Sequence, residues 1–218
     1  MASFSGDTDV PAGQSNRVCR SNHVGLLMGA PRGFDEDRAL DGALRLFWLR
    51  GYEGASLAEL LCATGLNRAS FYRVFDSKED LFTRAVERYQ QKYLAFRDDA
   101  LAEPTPRRIV EKLLYGLADL HTDLSTPPGC LETNSAQSCS PESNDVRLEL
   151  IRSRDRTMSS LEVRFAETMR QGPLPPSMTP ARAAFYVSTV VQGMAVQAKL
   201  GTSRHELRDL VDSILSSW

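Results

Sequence analysis

Residues 64–81 read TGLNRASFYRVFDSKEDL, and the turn and cap residues in this stretch predict three successive helices. Gly65 can adopt the left-handed conformation that ends a helix, which few other residues adopt without strain. Asn67 can then cap a second short helix, and Ser77 can cap a third that begins at Lys78. Two short helices joined by such a turn are typical of a helix-turn-helix, whose second helix enters the major groove of DNA.

The same stretch resembles the recognition-helix region of TetR-family transcriptional regulators. The family pattern is roughly Thr-Gly-Leu/Val-x-x-x-Ser/Thr-Leu/Phe-Tyr-x-x-Phe-x-x-Lys-x-x-Leu. The residues that match it are Thr64, Gly65, Leu66, Ser70, Phe71, Tyr72, Phe75, Lys78 and Leu81. The residues that match the first two helices of the family are Ala43, Phe47, Gly51, Tyr52, Ser56 and Leu60. The resemblance is specific over about residues 34–82 and looser afterwards.

This resemblance implies an all-α chain with two functional parts. An N-terminal three-helix helix-turn-helix DNA-binding domain over residues 34–80 would be followed by a larger helical domain for effector binding and dimerisation over residues 81–218. The resemblance also implies a homodimer that binds a palindromic operator in double-stranded DNA. Such regulators are usually repressors that a small-molecule effector releases, and activation of transcription stays open as an alternative.

The composition is that of an ordinary globular protein, with 42% apolar and 25% charged residues and a formal net charge of −2. The longest apolar runs fall well short of the roughly 18 residues that a membrane span needs, so we expect no membrane partner. Three basic residues and one acidic residue lie between Leu66 and Lys78, which makes the predicted recognition helix locally basic. Residues 1–33 show no hydrophobic period, which predicts a disordered N-terminal tail.

Apolar spacing predicts helices along the rest of the chain, and no alternating run is long enough to predict a strand. A capping box at Ser56 opens the second helix, and Gly51 ends the first. The expected helices beyond the helix-turn-helix cover about residues 78–100, 107–124, a short segment after residue 129, and then residues 142–171, 180–200 and 204–216.

The candidates for DNA contact are Ser56, Asn67, Arg68, Ala69, Ser70, Tyr72, Arg73 and Lys78. Four of these, Arg68, Ala69, Ser70 and Arg73, are expected to face base edges, where arginine bound to guanine is the commonest specific contact. In TetR relatives the residues matching Tyr72 and Lys78 commonly contact phosphates. Lys78 also lies at a helix N-terminus, where exposed amides attract phosphate.

The last two predicted helices are apolar on more than one face, too broad a surface for packing against one side only. In TetR relatives these helices pair with their copies in a four-helix bundle, so the resemblance implies a homodimer. The expected interface residues are Tyr186, Val190, Gly193, Met194, Gln197, Leu207, Leu210, Val211 and Ile214. The alternative is a wholly buried helix in the core of a monomer.

An effector site is expected among the middle helices, again by resemblance, for an apolar or amphipathic small molecule. The candidate pocket residues are Tyr93, Phe96, Tyr115, His121, Met158, Phe165 and Phe185. Because His121 is the only histidine in the middle helices, we expect no metal site, and nothing in the sequence calls for a cofactor.

Four cysteines without metal-like spacing are typical of a reduced, cytoplasmic protein. Cys130 follows Pro-Pro-Gly at the start of a predicted helix, where the helix dipole can lower a thiol pKa. A thiol-based redox or electrophile sensor using Cys130 is therefore an alternative to release by a bound ligand. The simpler interpretation is that Cys130 is a small buried apolar residue.

Two other function classes were weighed against a DNA-binding regulator. An enzyme would need a nucleophile with a base, a phosphate loop or a metal set, and the three scattered histidines predict none of these. A helical adaptor that binds proteins and not DNA stays open. Sequence-specific DNA binding that is lost on substitution of Tyr72 and Lys78 would exclude it.

Overall fold

The computed structural model describes residues 36–218, so the tail expected over residues 1–33 lies outside the described residues. The described part is built from ten α-helices and one short 3-10 helix, Pro141–Ser143, and contains no strand. The α-helices are α1 (Glu36–Gly54), α2 (Leu57–Thr64), α3 (Arg68–Val74), α4 (Lys78–Tyr93), α5 (Phe96–Leu101), α6 (Pro106–His121), α7 (Leu131–Ala136), α8 (Asn144–Thr168), α9 (Pro180–Lys199) and α10 (Arg204–Ser216). The all-α class predicted from the sequence is confirmed.

Helices α2 to α4 begin at the residues that the sequence pattern predicts. Ser56, Asn67 and Ser77 each accept a hydrogen bond from the backbone N–H three residues further on, at 3.3, 2.8 and 3.1 Å. Gly65 ends α2 in the left-handed conformation, at φ 70°. These caps satisfy amide and carbonyl groups that a helix end leaves without partners, and they fix the angle between α2 and α3.

Two helices differ from the sequence-based expectation. α1 continues past Gly51 to Gly54, but Gly51 itself is not helical (φ 72°, ψ 174°), so the helix is kinked where the sequence predicts its end. The single helix expected over residues 78–100 is wrong, because the chain breaks between α4 and α5. This break carries Phe96 onto α6, where its ring approaches Gly116 so closely that a Cβ atom would lie 2.4 Å from it.

An aromatic cluster forms the core between α1 and α4. The ring of Phe82 lies edge-on to those of Phe47 and Tyr52, with centroids 5.1 and 5.2 Å apart. Trp48 meets Tyr89 edge-on at 4.7 Å. Such pairs contribute about 0.5–1.5 kcal/mol each beyond the burial of their area, so they hold α4 firmly against α1.

Charged side chains join the same two helices at the surface. Arg88 of α4 bonds to Asp37 and Asp41 of α1, both at 2.6 Å, and Lys92 bonds to Asp41 at 2.9 Å. The hydrogen bond from Arg88 is the main cause that lowers the pKa of Asp41. Because exposed ion pairs each contribute only about 0–1 kcal/mol, the network orients the helices more than it stabilises them.

Helices α5, α9 and α10 pack around α6, α8 packs along α9, and α7 packs mainly against α1. One continuous apolar core runs through the described residues, which form one compact unit. The domain boundary expected near residue 80 therefore stays a prediction. None of the helices in residues 36–218 is both long enough and apolar enough to span a membrane.

Candidate nucleic-acid interface and internal cavity

α3 has one buried and one exposed face, as a helix that reads DNA requires. Phe71 and Phe75 are fully buried and anchor α3 to the core. The opposite face presents the exposed residues Asn67, Arg68, Ala69, Tyr72 and Arg73, with Ser70 half-buried among them. The seven-residue helix and its N-cap Asn67 thus bring together six of the eight predicted DNA contacts.

The two arginines of this face carry charges that the rest of the described chain leaves unpaired. Within residues 36–218, neither Arg68 nor Arg73 makes an ion pair or a side-chain hydrogen bond. Tyr72, 47% exposed, leans edge-on against the buried Phe71 ring at 5.3 Å and directs the rest of its surface to solvent. Both guanidinium groups and the Tyr72 hydroxyl are therefore available to an anionic partner.

Lys78, at the start of α4, is held more tightly than the sequence suggests. Its Nζ lies 4.3 Å from the centroid of the Tyr52 ring, and the Tyr52 hydroxyl donates to Glu79 Oε1 at 2.5 Å. Burial lowers the pKa of Lys78, and the nearby Glu53 and Glu79 oppose that shift. The interaction of a cation with an aromatic ring contributes about 0.5–2 kcal/mol. Lys78 therefore presents its charge at a fixed position beside α3.

Ser56, another predicted DNA contact, lies at the exposed start of α2. Its hydroxyl donates to Glu59 Oε2 at 2.8 Å, and Glu59 in turn pairs with Arg50 at 3.3 Å. The Ser56 hydroxyl is thus occupied within the capping box, although its oxygen still faces solvent.

A path of hydrogen bonds links α1 to the segment before α7. The indole N–H of Trp48 donates to the carbonyl of Gly129 at 2.8 Å, and the Gly129 N–H donates to the carbonyl of His121 at 3.0 Å. Asn134 Nδ2 returns a bond to the carbonyl of Trp48 at 3.0 Å. Gly129 has φ +80°, and a Cβ atom there would lie 2.7 Å from the carbonyl oxygen of Ala195, so only glycine fits this junction.

A cavity of about 130 Å³ lies among the middle helices. Its apolar wall is formed by Leu94, Leu113, Leu117, Leu150, Leu161 and Val191. Polar residues on its lining include His121, Cys130, Arg97, Glu132 and Arg154. The cavity therefore touches the end of α6 and the start of α7, the same two places that the Trp48–Gly129–His121 path joins.

His121 is the most unusual polar group of this cavity. It is fully buried, and neither ring nitrogen has a hydrogen-bond partner among the described residues. Burial lowers the pKa of His121 to about 4, so the imidazole is neutral near pH 7. A neutral imidazole has one donor and one acceptor, and both are unused here.

Among the predicted pocket residues, His121 lines this cavity and the others lie elsewhere. Three of the others pack elsewhere in the fold: Tyr93 against Trp48, Phe96 against α6, and the buried Phe165 against Trp218. The Tyr115 hydroxyl donates a hydrogen bond to Asp212. Met158 is half-buried, and Phe185 is 63% exposed. Aromatic side chains were predicted for the wall, whereas the structure places leucines there. The four-residue spacing of Leu113 and Leu117 places both on one face of α6 and is the sequence signal that could have identified them.

Cys130 also lines the cavity, at the N-cap position of α7. Burial raises the pKa of its thiol, with the charge of Glu132 adding to the effect. The expected lowering by a helix dipole is therefore outweighed, because α7 is only six residues long and the thiol is shielded from water. Near neutral pH the sulfur stays protonated and is a weak nucleophile.

The residues expected at a dimer interface fall into two groups. Gly193, Gln197 and Leu210 are exposed, and Tyr186 and Val190 are half-buried. The others, Met194, Leu207, Val211 and Ile214, are buried in the core of this chain and hold α9 and α10 to α6. Phe185, one of the expected pocket residues, is exposed on α9 beside the first group. In the described part of the chain, no cluster of three or more His, Cys, Asp or Glu residues could hold a metal ion.

Comparisons with known proteins agree with this geometry. The family of bacterial regulatory proteins called tetR matches residues 39–85, which run from α1 into α4. The HTH-type transcriptional repressor ComR of Escherichia coli (strain K12) is 31% identical over 192 residues, which cover 87% of this chain and 91% of ComR. BdcR, another such repressor of that organism, is 25% identical over 183 residues, 82% of this chain and 86% of BdcR.

A solved structure of a family member bound to DNA is also similar to this chain. It contains a cysteine-substituted variant of the TetR family transcriptional regulator CifR in complex with 26-base-pair double-strand operator DNA. That protein is 36% identical to this chain, and the two folds agree with a TM-score of 0.81 over 87% of this chain and 100% of that one.

Proposed function

This chain belongs to the TetR family of bacterial transcriptional regulators, and from that premise we propose that it represses transcription as a homodimer on a palindromic operator until a small-molecule effector releases it. Members of this family are DNA-binding transcription factors and not enzymes, so binding of double-stranded DNA is the activity to be explained. The observation that carries the proposal is the exposed face of α3, with two unpaired arginines, mounted on buried Phe71 and Phe75. An adaptor that does not bind DNA is set aside on this ground.

In this proposal α3 lies in the major groove and its exposed side chains divide the work. Arg68 and Arg73 bind base edges or phosphates, while Asn67, Ala69 and Ser70 approach the bases between them. Tyr72 and Lys78 bind phosphates on either side of the helix and fix its register, and Ser56 does the same from the start of α2.

The test is selection of genomic fragments by the purified protein, followed by gel-shift measurement of the dissociation constant. A palindromic fragment should be enriched, and Tyr72→Ala should weaken its binding by tenfold or more. Tyr72→Phe is the matched variant: it keeps the ring against Phe71 but removes the hydroxyl, so about tenfold is expected from one lost solvent-exposed hydrogen bond of about 0.7 kcal/mol in each of two heads. Wild-type protein that enriches no fragment at moderate salt would overturn the proposal.

Dimerisation through α9 and α10 supplies the second head that a palindrome requires. These helices leave Phe185, Gly193 and Leu210 exposed, and Gly193 has nothing within 4 Å of an added Cβ. Because Gly193 is exposed and has no side chain, the backbones of two helices could approach closely there. The two recognition helices would then lie roughly 34–36 Å apart, one turn of DNA. The domain division proposed from the sequence, residues 34–80 for DNA and 81–218 for effector and dimer, follows from this assignment.

Sedimentation velocity tests the dimer. Leu210→Glu should give a monomer, because two carboxylates would face each other in an apolar interface. Leu124→Glu is the control, since Leu124 is fully exposed in the loop after α6, away from both helices. If the wild-type chain is monomeric at concentrations that saturate the operator, the homodimer is the wrong assembly.

Release by an effector is supported by the position of the cavity. His121 lies in its wall, and the His121 carbonyl accepts a hydrogen bond from Gly129, whose own carbonyl accepts one from Trp48 of α1. A ligand that displaces the end of α6 would therefore also shift the helix-turn-helix. It would release DNA only if it binds the released conformation more tightly than the DNA-bound one.

Thiol sensing through Cys130 is a second candidate, favoured by its place in the cavity wall next to Gly129. The raised pKa of the thiol weighs against it. Cys130→Ser separates the two: operator release by oxidants or electrophiles that persists in this variant rules out a Cys130 sensor, and release that disappears supports it.

A further inference from the structure

We propose that the cavity beside α6 takes a compact, uncharged ligand of about the size of benzene, with one oxygen atom that exchanges a hydrogen bond with His121. The inference rests on the proposed function only in treating this cavity as the effector site. The chemical class of the ligand is argued from the cavity itself.

The size follows from the volume. The cavity measures about 130 Å³. An apolar protein cavity of roughly 150 Å³ is sufficient to bind benzene, so a ligand of a single ring or an equivalent short branched chain fills this one.

The oxygen atom follows from His121. Its neutral imidazole offers one donor and one acceptor, and neither nitrogen is satisfied by another described residue. Leu113 and Leu117, which line the cavity from the same helix, offer no hydrogen bond. A buried polar group without a partner destabilises the empty site, so a hydroxyl or carbonyl oxygen on the ligand regains that loss when it binds. A pure hydrocarbon of the same size would not.

The absence of charge follows from the partners of the ionic side chains in the lining. Glu132 accepts hydrogen bonds from Gln90 at 2.7 Å and Ser153 at 3.0 Å. Arg154 pairs with Asp155 at 2.8 Å. At the His121 end the wall is formed by Leu113 and Leu117, and no described residue makes a hydrogen bond to the imidazole, so nothing there compensates the charge of an ion.

Arg97 makes a small carboxylate the competing class of ligand. It donates to the hydroxyl of Thr157 at 2.6 Å and makes no ion pair with the described residues. A small carboxylate that bound with its charge against Arg97 would place its apolar end near His121, the reverse of the orientation that we infer. The two classes can be told apart with matched probes.

The probes are benzyl alcohol, toluene and benzoate, which share a ring and differ in the polar group. Each is titrated into the full-length protein without DNA and followed by NMR, for wild type, His121→Leu and Arg97→Met. We expect benzyl alcohol to bind about tenfold more tightly than toluene, the effect of one buried hydrogen bond, and benzoate to bind more weakly than either. His121→Leu should abolish the preference for the alcohol, and Arg97→Met should leave it unchanged.

Three results would overturn the inference. Benzoate could bind best and lose affinity in Arg97→Met, which assigns the cavity to small anions. Toluene could bind as well as benzyl alcohol in the wild type. The third result is that no probe binds although all three proteins unfold cooperatively on heating, which shows that they are folded. In each case the gel shift of the wild type with its operator, measured in parallel without probes, reports separately whether the proposed DNA-binding function stands.

Discussion

Trp48 is one of the residues that tie α1 to the rest of the chain, and its buried indole donates a hydrogen bond to Gly129. Trp48→Phe removes that donor and leaves a buried carbonyl without it, so we expect the free energy of unfolding to fall by about 1–3 kcal/mol beyond the loss of packing. Trp218→Phe is the matched control, since the indole N–H of Trp218 has no partner in the described chain. Urea unfolding of both variants is the measurement, and equal losses would contradict the assigned role of the Trp48 bond.

The buried imidazole of His121 makes stability depend on pH. Its pKa is about 4 in the folded chain and 6.5 for an ordinary histidine. Between these values the unfolded chain binds a proton that the folded chain does not, so the free energy of unfolding falls as pH falls from about 6.5 to about 4, by about 3 kcal/mol from this residue. Above pH 6.5 its contribution is constant.

His121→Leu should flatten this part of the stability profile. Arg97, Glu132 and Arg154, the charged residues of the same cavity, are present in both proteins, so the difference between the two urea-unfolding profiles isolates His121. Parallel profiles across that pH range would show that the histidine titrates normally and is hydrated.

At the scale of the helix, Asn67 combines a structural role with a predicted functional one. Its Oδ1 caps α3 through the N–H of Ser70 at 2.8 Å, and its side chain lies on the exposed face. Asn67→Ala should cost about 1 kcal/mol of stability through loss of the cap. Asn67→Asp keeps a capping oxygen and so should keep stability, but it adds a negative charge to the DNA-facing surface.

Comparing the two variants separates these roles. Unfolding free energies should fall for Asn67→Ala and stay close to wild type for Asn67→Asp, whereas operator affinity should fall more for Asn67→Asp. If the aspartate variant binds the operator as well as the wild type does, the N-terminus of α3 does not face DNA.

Helix starts could be predicted from the sequence because caps are local. Ser56, Asn67 and Ser77 lie within three residues of the backbone groups to which they bond. Glycine at position 65 is required by one local feature, the positive φ angle at that residue. The break between α4 and α5 could not be predicted in this way, because it depends on where Phe96 meets Gly116 in a distant helix. The cavity is hidden for the same reason: its wall joins leucines from several helices, and His121 was found only because histidines are few.

At the scale of the whole molecule, the net charge of −2 hides a division of charge that matters for DNA binding. Three acidic residues in the N-terminal half of α1 (Glu36, Asp37 and Asp41) are paired with Arg84, Arg88 and Lys92 of α4, so these charges neutralise one another away from α3. Arg68 and Arg73 have no such partners in the described chain. The field that DNA meets is therefore set by a few cations near α3 and not by the total, which explains how a slightly acidic protein can belong to a DNA-binding family.

Because DNA binding then depends on few cations, the dependence of operator affinity on salt concentration measures how many of them contact phosphates. Each phosphate contact by a cation contributes about −0.9 to the slope of log K against log salt concentration. Lys78→Met keeps the aliphatic stem over Tyr52 but removes the charge, so one bound head would change the slope by about 1 and a dimer with two bound heads by about 2. Tyr72→Phe, which weakens binding without removing a charge, should leave the slope unchanged. Operator titrations over a range of salt concentrations measure both, and an unchanged slope in Lys78→Met would show that this fixed cation does not contact phosphate.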